Sequence, residues 1–143
     1  MGERRATASA EQNDSIRELM GTGVYETTLP ASLKAQTGTF RLDLGDVRES
    51  ARIYLNDQLI GTAWCVPFTV DFQGTVKGGD RLRIEVTNLP ANRIAAYDRR
   101  GIKWRKFNEI NVVDINYKKT TYAHWSPVPS GLNTTVKLMK IKK

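Results

Sequence analysis

FRLDLGDVRESARIYLNDQLIGTAWCVPFTVDF, residues 40–72, holds three apolar/polar alternations separated by short turn signals, with no helical stretch between them. Phe40, Leu42 and Leu44 alternate with Arg41 and Asp43, and Ala51, Ile53 and Leu55 alternate with Arg52, Tyr54 and Asn56. A period of two sends one set of side chains to a buried face and the other to water, which describes half-buried strands. Gly45-Asp46 and Asn56-Asp57 fall between the runs. Asn and Asp accept left-handed backbone angles and bond their own main chain, so Asn56-Asp57 is expected to reverse the chain into a tight hairpin with Gln58 to Ala63 as its return strand.

The alternation continues on both sides of this block. Val24 to Leu29 reads as a first strand that Pro30 ends. Phe68, Val70 and Phe72 are expected inward, Lys77-Gly78-Gly79-Asp80 is a turn, and Arg81 to Thr87 turns Leu82, Ile84 and Val86 inward. After Asn88 the periodicity stops. The stretch from Leu89 to Asn133 has Pro90, Gly101, Pro127, Pro129 and Gly131 among scattered aromatics and charges, and is expected to be mostly loop. A short strand is expected at Ile110 to Ile115 and a closing strand at Thr135 to Ile141. Six or more short strands without a strong helix predict an all-β fold, an antiparallel β-sandwich. Residues 1–21 are expected to be a flexible segment or linker, with a helical turn available from Asn13 to Met20, and residues 22–143 to form one domain. A loop region as long as the one after Asn88 is more often functional than decorative, so ligand contacts are expected there.

At 143 residues the chain can bury a core without disulfides or metal, and no apolar run approaches the ~18 residues needed to span a bilayer. Its one cysteine, Cys65, cannot form an internal disulfide. The N-terminal residues lack the apolar centre of a signal peptide, so either the chain stays inside the cell or its signal is missing, and Met1-Gly2 before a polar stretch reads as the start of a fragment of a longer secreted polypeptide. A net charge of +7 favours anionic partners, among them acidic polysaccharide and nucleic acid. Arg93, Arg99, Arg100, Lys103, Arg105 and Lys106 stand against one acid, Asp98, within residues 93–106, and four more lysines follow from Lys137.

Catalysis is tested by inventory. With His124 and Cys65 as the sole residues of their types, and without G-x-S-x-G, H-E-x-x-H or P-loop spacing, the common catalytic templates are absent. Asp98, Glu109 and Asp114 are the acids available for a carboxylate pair, but each reads first as a turn or salt-bridge residue. Sugar binding needs an aromatic face for the apolar side of a pyranose and polar groups for its hydroxyls. Tyr97, Trp104, Tyr122 and Trp125 supply faces and Arg99, Arg100 and Lys103 supply charge, so these seven are the candidate glycan-binding residues. An arginine fork would take a uronate carboxylate with two parallel bonds. Trp64 reads as a core plug, and Trp125, before Pro127 and Pro129, reads equally as one. The same mixture of bases and rings would suit a nucleic-acid strand, but no RNP, zinc-finger or helix-turn-helix pattern accompanies it.

Taken in order, Leu44-Gly45, Ala51 to Asn56, Gly61 to Trp64 and Pro67-Phe68, then VTNLPANRIAAYDRRGIKWRKF and WSPVPSGLNTTVKL, resemble the sugar-binding jelly-roll domain, galactose-binding-like in fold, of bacterial polysaccharide-degrading glycoside hydrolases of families 2 and 106. The resemblance covers residues 22 to 141. It departs from the family pattern at Asn133-Thr134, where Gly-Pro is usual. It implies a non-catalytic accessory domain that binds plant-type, acidic or pectin-like carbohydrate, whose partners are carbohydrate and the catalytic domain of the parent chain. It also implies a secreted, periplasmic or cell-surface location and no cofactor beyond a structural calcium, for which Asp43, Asp71 and Asp114 offer oxygen ligands. A purely structural domain, packing against the catalytic one and binding nothing, is the alternative.

Overall fold

The computed structural model describes residues 17–107 and 113–141. The chain divides into two compact units, one made of Gly21–Leu89 and Pro129–Lys143, the other of Met1–Met20 and Pro90–Val128.

The first unit is all β. Its strands are β1 (Thr22–Thr28), β2 (Gln36–Asp43), β3 (Val47–Arg48), β4 (Ser50–Leu55), β5 (Gln58–Ala63), β6 (Thr69–Val76), β7 (Arg81–Thr87), β8 (Gly131–Leu132) and β9 (Lys137–Ile141). They form a four-stranded sheet in the order β1-β7-β4-β5, a three-stranded sheet in the order β6-β2-β9, and a short β3-β8 pair, with antiparallel pairing throughout. Leu42 and Val70 from the three-stranded sheet join Ala51, Ile53, Ala63, Leu82, Ile84 and Val86 from the four-stranded sheet in one buried cluster, which Leu44 and Val47 extend. Two sheets closed on one apolar layer make an antiparallel β-sandwich. Each large aliphatic side chain buried in it contributes about 1.5–3 kcal/mol relative to exposure.

The hairpin forms where Asn56-Asp57 predicts it. Both residues have positive φ, 49° and 67°, the paired left-handed conformation of a two-residue type I′ turn, and the return strand runs from Gln58 to Ala63. Asn56 then ties this turn to the start of β7: its side-chain amide donates to Asp80 Oδ1 (2.9 Å) and its Oδ1 accepts from Arg81 N–H (2.9 Å). Asp80 is buried, and the Asn56 amide together with the Lys77 N–H holds its carboxyl below the usual carboxylate range. Gly61 is required by proximity, since a Cβ there would run into Val70 Cγ1.

Asn133-Thr134 has a local explanation. Thr134 Oγ1 accepts from Asp46 N–H (2.7 Å) and donates to Leu44 O (3.0 Å), and Asn133 N–H donates to Asp46 O (3.0 Å), so this pair secures the turn after β2.

Four expectations change. Leu89 to Asn133 is mostly irregular among the described residues, as expected, but it also holds a helix that was not expected, α1 (Ala91–Arg99). Pro90 precedes the helix, where its missing N–H costs nothing, and Gly101 (φ 66°) ends it: Gly101 N–H bonds Asp98 O and Ile102 N–H bonds Tyr97 O, a Schellman closure. Trp64 is no core plug; it is 75% exposed, because Ala63 takes the inward position at the end of β5 and the next residue faces away. The closing strand starts at Lys137, two residues later than expected. Of the strand expected at Ile110 to Ile115, residues 110–112 lie outside the described residues, and 113–115 lie in a turn closed by Tyr117 N–H on Asp114 O (2.9 Å). Most of the N-terminal segment 1–21, including its helical turn up to residue 16, and Glu109 also lie outside the described residues.

Candidate functional site

Within the second unit, residues 90–128 carry eight Lys and Arg against three Asp and Glu. Their arrangement starts from two polar side chains on α1. Asn92, 6% exposed, pairs both ways with one backbone position: its Nδ2 donates to Val128 O (2.9 Å) and its Oδ1 accepts from Val128 N–H (2.8 Å). This fixes the end of the 113–128 segment on the helix. Asp98, the residue before the last of the helix, accepts from the Trp104 indole Nε1–H (2.7 Å), from Tyr122 N–H (2.7 Å) and more weakly from Thr121 Oγ1–H (3.4 Å). The Tyr122 N–H and the Trp104 indole hold its carboxyl below the usual carboxylate range, against its partial burial. A carboxylate that gathers an indole and a backbone donor in this way suits the part of a structural hub.

Around that hub the rings meet. Tyr122 lies 4.4 Å from Trp125 and 6.4 Å from Trp104, centroid to centroid. The Arg105 guanidinium sits over both Trp104 (5.0 Å) and Tyr122 (5.1 Å) and donates to Thr120 O (2.6 Å). One face of each of those two rings is thus occupied by a cation, whereas Trp125 is 43% exposed. Trp125 also lines a small cavity of about 50 Å³ together with Arg17, Glu18, Asn92, Ala95, Arg99 and Pro127.

The seven residues singled out from sequence therefore fall into three groups. Trp104, Tyr122 and Trp125 come together in one aromatic cluster. Arg99 and Arg100, at the end of α1, both face Glu18, at 3.8 and 2.5 Å. Tyr97 carries the Arg93 guanidinium over its ring (5.1 Å), and Lys103 is exposed. Arg105, Asn92 and Glu18 are the participants that the sequence reading did not select. Arg105 stood in the basic run, and its place next to Trp104 was the available signal; nothing local marks Asn92 or Glu18.

The acids named for calcium have other work. Asp71 is held by Arg41 through two 2.7 Å bonds, Asp43 Oδ1 accepts from Gly45 N–H, and Asp114 Oδ1 accepts from Asn116 N–H. Among the described residues, no three His, Cys, Asp or Glu side chains gather where they could hold a metal ion. No helix among them is long and apolar enough to cross a membrane.

No family model matches the chain. In an alignment of 129 positions that covers 82% of the chain, it is 32% identical to a Formosa agariphila protein named "Putative beta-glucuronidase", of which it covers 11%. The solved structure of a rhamnosidase from Novosphingobium sp. PP1Y overlays on 88% of the chain with a TM-score of 0.69 and 27% identity, again over 11% of the larger protein. The chain is related to glycoside hydrolases. It spans about a ninth of the length of these two relatives. A GH2 beta-galacturonidase from Eisenbergiella tayi overlays on 55% of the chain, with a TM-score of 0.43 and 17% identity.

Proposed function

We propose that this chain is a non-catalytic accessory domain, residues 22–143, of a larger carbohydrate-degrading protein, and that residues 90–128 bind glycan. The reading rests on the Trp104-Tyr122-Trp125 cluster, fixed through Asp98 beside an excess of basic side chains. A preorganised ring offers a pyranose its apolar face at little entropic cost, and Arg99, Arg100 and Lys103 favour acidic sugars of the pectin type. The relatedness to glycoside hydrolases supports a carbohydrate ligand, and the short span of the match supports a catalytic domain elsewhere in the parent chain, outside the cell or at its surface. A galactose-binding-like jelly roll is the sandwich subtype that fits this role.

A second reading has its own observation. Trp64 and Val66, 75% and 81% exposed in the β5–β6 connection, form an apolar tip of the kind that a neighbouring domain covers. On that reading the chain packs against its catalytic partner and has no glycan of its own.

Isothermal titration with oligogalacturonates and neutral plant oligosaccharides, at low and high salt and with single-stranded DNA alongside, separates these readings. Saturable glycan binding that survives high salt and falls at least tenfold in Trp125→Ala and in Trp104→Ala supports the accessory role. Absence of glycan binding supports the packing role, and indiscriminate, salt-sensitive binding to every polyanion supports a basic surface for nucleic acid.

A further inference from the structure

Glu18 holds a position that a ligand carboxylate would hold. Its side chain is 13% exposed, Arg100 NH2 donates to Oε2 at 2.5 Å, and Arg99 NH2 stands 3.8 Å from Oε1. Glu18 also forms part of the wall of the cavity that Trp125, Arg17 and Arg99 line. At about 50 Å³ that cavity has room for a water or two, not for a pyranose ring. With Glu18 in place, therefore, the elements of a sugar-acid site stand side by side: an exposed indole, an apolar floor of Ala95 and Pro127, and two guanidinium groups facing one internal carboxylate, to which Arg100 is hydrogen-bonded.

Resting on the glycan-binding reading above, we propose that Glu18 is a resident stand-in for the carboxylate of a hexuronate, and that an acidic glycan binds by displacing it from Arg99 and Arg100 and seating its ring against Trp125. The exchange swaps one carboxylate for another on the same guanidinium groups, so the charge balance of the site is unchanged. The ring contact with Trp125 and the apolar floor supply the difference that drives it. A neutral sugar has no group to take over the two arginines and leaves Glu18 in place. The segment that carries Glu18 is thus a built-in competitor that sets selectivity for acidic sugars.

The test is titration of wild type and Glu18→Gln with trigalacturonate and with its fully methyl-esterified, neutral counterpart, accompanied by a sulfated trisaccharide. Removing the competing charge empties a closed state, so Glu18→Gln is expected to bind trigalacturonate about fivefold tighter or more, with the ester unchanged. Arg99→Ala and Arg100→Ala are expected to lose the preference for acid over ester. On wild type, saturating trigalacturonate is expected to speed hydrogen exchange at the amides of residues 17–20 as Glu18 is released. Equal or weaker binding of trigalacturonate by Glu18→Gln, an equal gain for the ester, a gain for the sulfated sugar alone, or unchanged exchange at residues 17–20 would overturn the proposal. If acid and ester bind wild type equally through Trp125, the accessory role stands and the stand-in fails. If no glycan binds wild type or any variant, both fall.

Discussion

The two units of this chain are held together by different chemistry. Gly21–Leu89 with Pro129–Lys143 is organised by apolar burial at strand period, with its polar side chains paired along the strands and in the turns. Residues 90–128 have little such periodicity; their order comes from Asn92 gripping the Val128 backbone and Asp98 collecting an indole N–H and a backbone N–H. The first kind of order is redundant, because many aliphatic contacts share the load. The second is concentrated, because a few directional bonds fix several rings at once. A binding surface built the second way is preorganised and also sensitive to single substitutions.

Substitutions in each unit sharpen this contrast. The largest effect is expected in the sandwich, where Ile53→Ala empties a fully buried position between the sheets and should lower stability by about 2–5 kcal/mol in a denaturant titration. In the other unit, Asp98→Ala leaves the Trp104 indole and the Tyr122 N–H without their acceptor and should cost about 1–3 kcal/mol. Its signature is loss of near-ultraviolet dichroism from the aromatic cluster with the far-ultraviolet signal of the strands retained. If the two signals are lost together, the contrast fails.

Acid provides a reversible version of the same experiment. The folded-state pKa of Asp98 is depressed, so its contribution is present above the ordinary carboxylate pKa and is lost as pH falls through the lowered folded value. The near-ultraviolet signal of the cluster should hold at neutral pH and decline only well below pH ~4. A decline centred near neutrality would implicate another group. The smallest effect is expected at Trp64, where Trp64→Ser removes an exposed ring and should change stability by no more than about 0.5 kcal/mol.

This contrast also governs what could be read from sequence. Period-two alternation at Phe40 to Leu44, Ala51 to Leu55 and Arg81 to Thr87, with Asn56-Asp57 between two of the runs, is a local signal, and the sandwich follows from it. Trp64 was misread although the same rule covers it, since an inward Ala63 already turns its neighbour outward. Helix α1 spans only nine residues, and its start and stop signals, Pro90 and Gly101, read equally as loop punctuation. The hub at Asp98 could not be read locally, because its partners lie 6, 23 and 24 residues along the chain. Residue type alone marks the rings of the cluster, the basic run beside Trp104 marks Arg105, and Glu18 becomes visible only once the chain has folded.

The three tryptophans report the two units separately, with Trp64 in the sandwich unit and Trp104 and Trp125 in the other. The most direct measurement is therefore to follow their three indole N–H signals by ¹⁵N NMR during titration with trigalacturonate. The account predicts saturable shifts at Trp125, smaller ones at Trp104 and none at Trp64. Shifts at Trp64 alone, or no shift at any of the three, would contradict it.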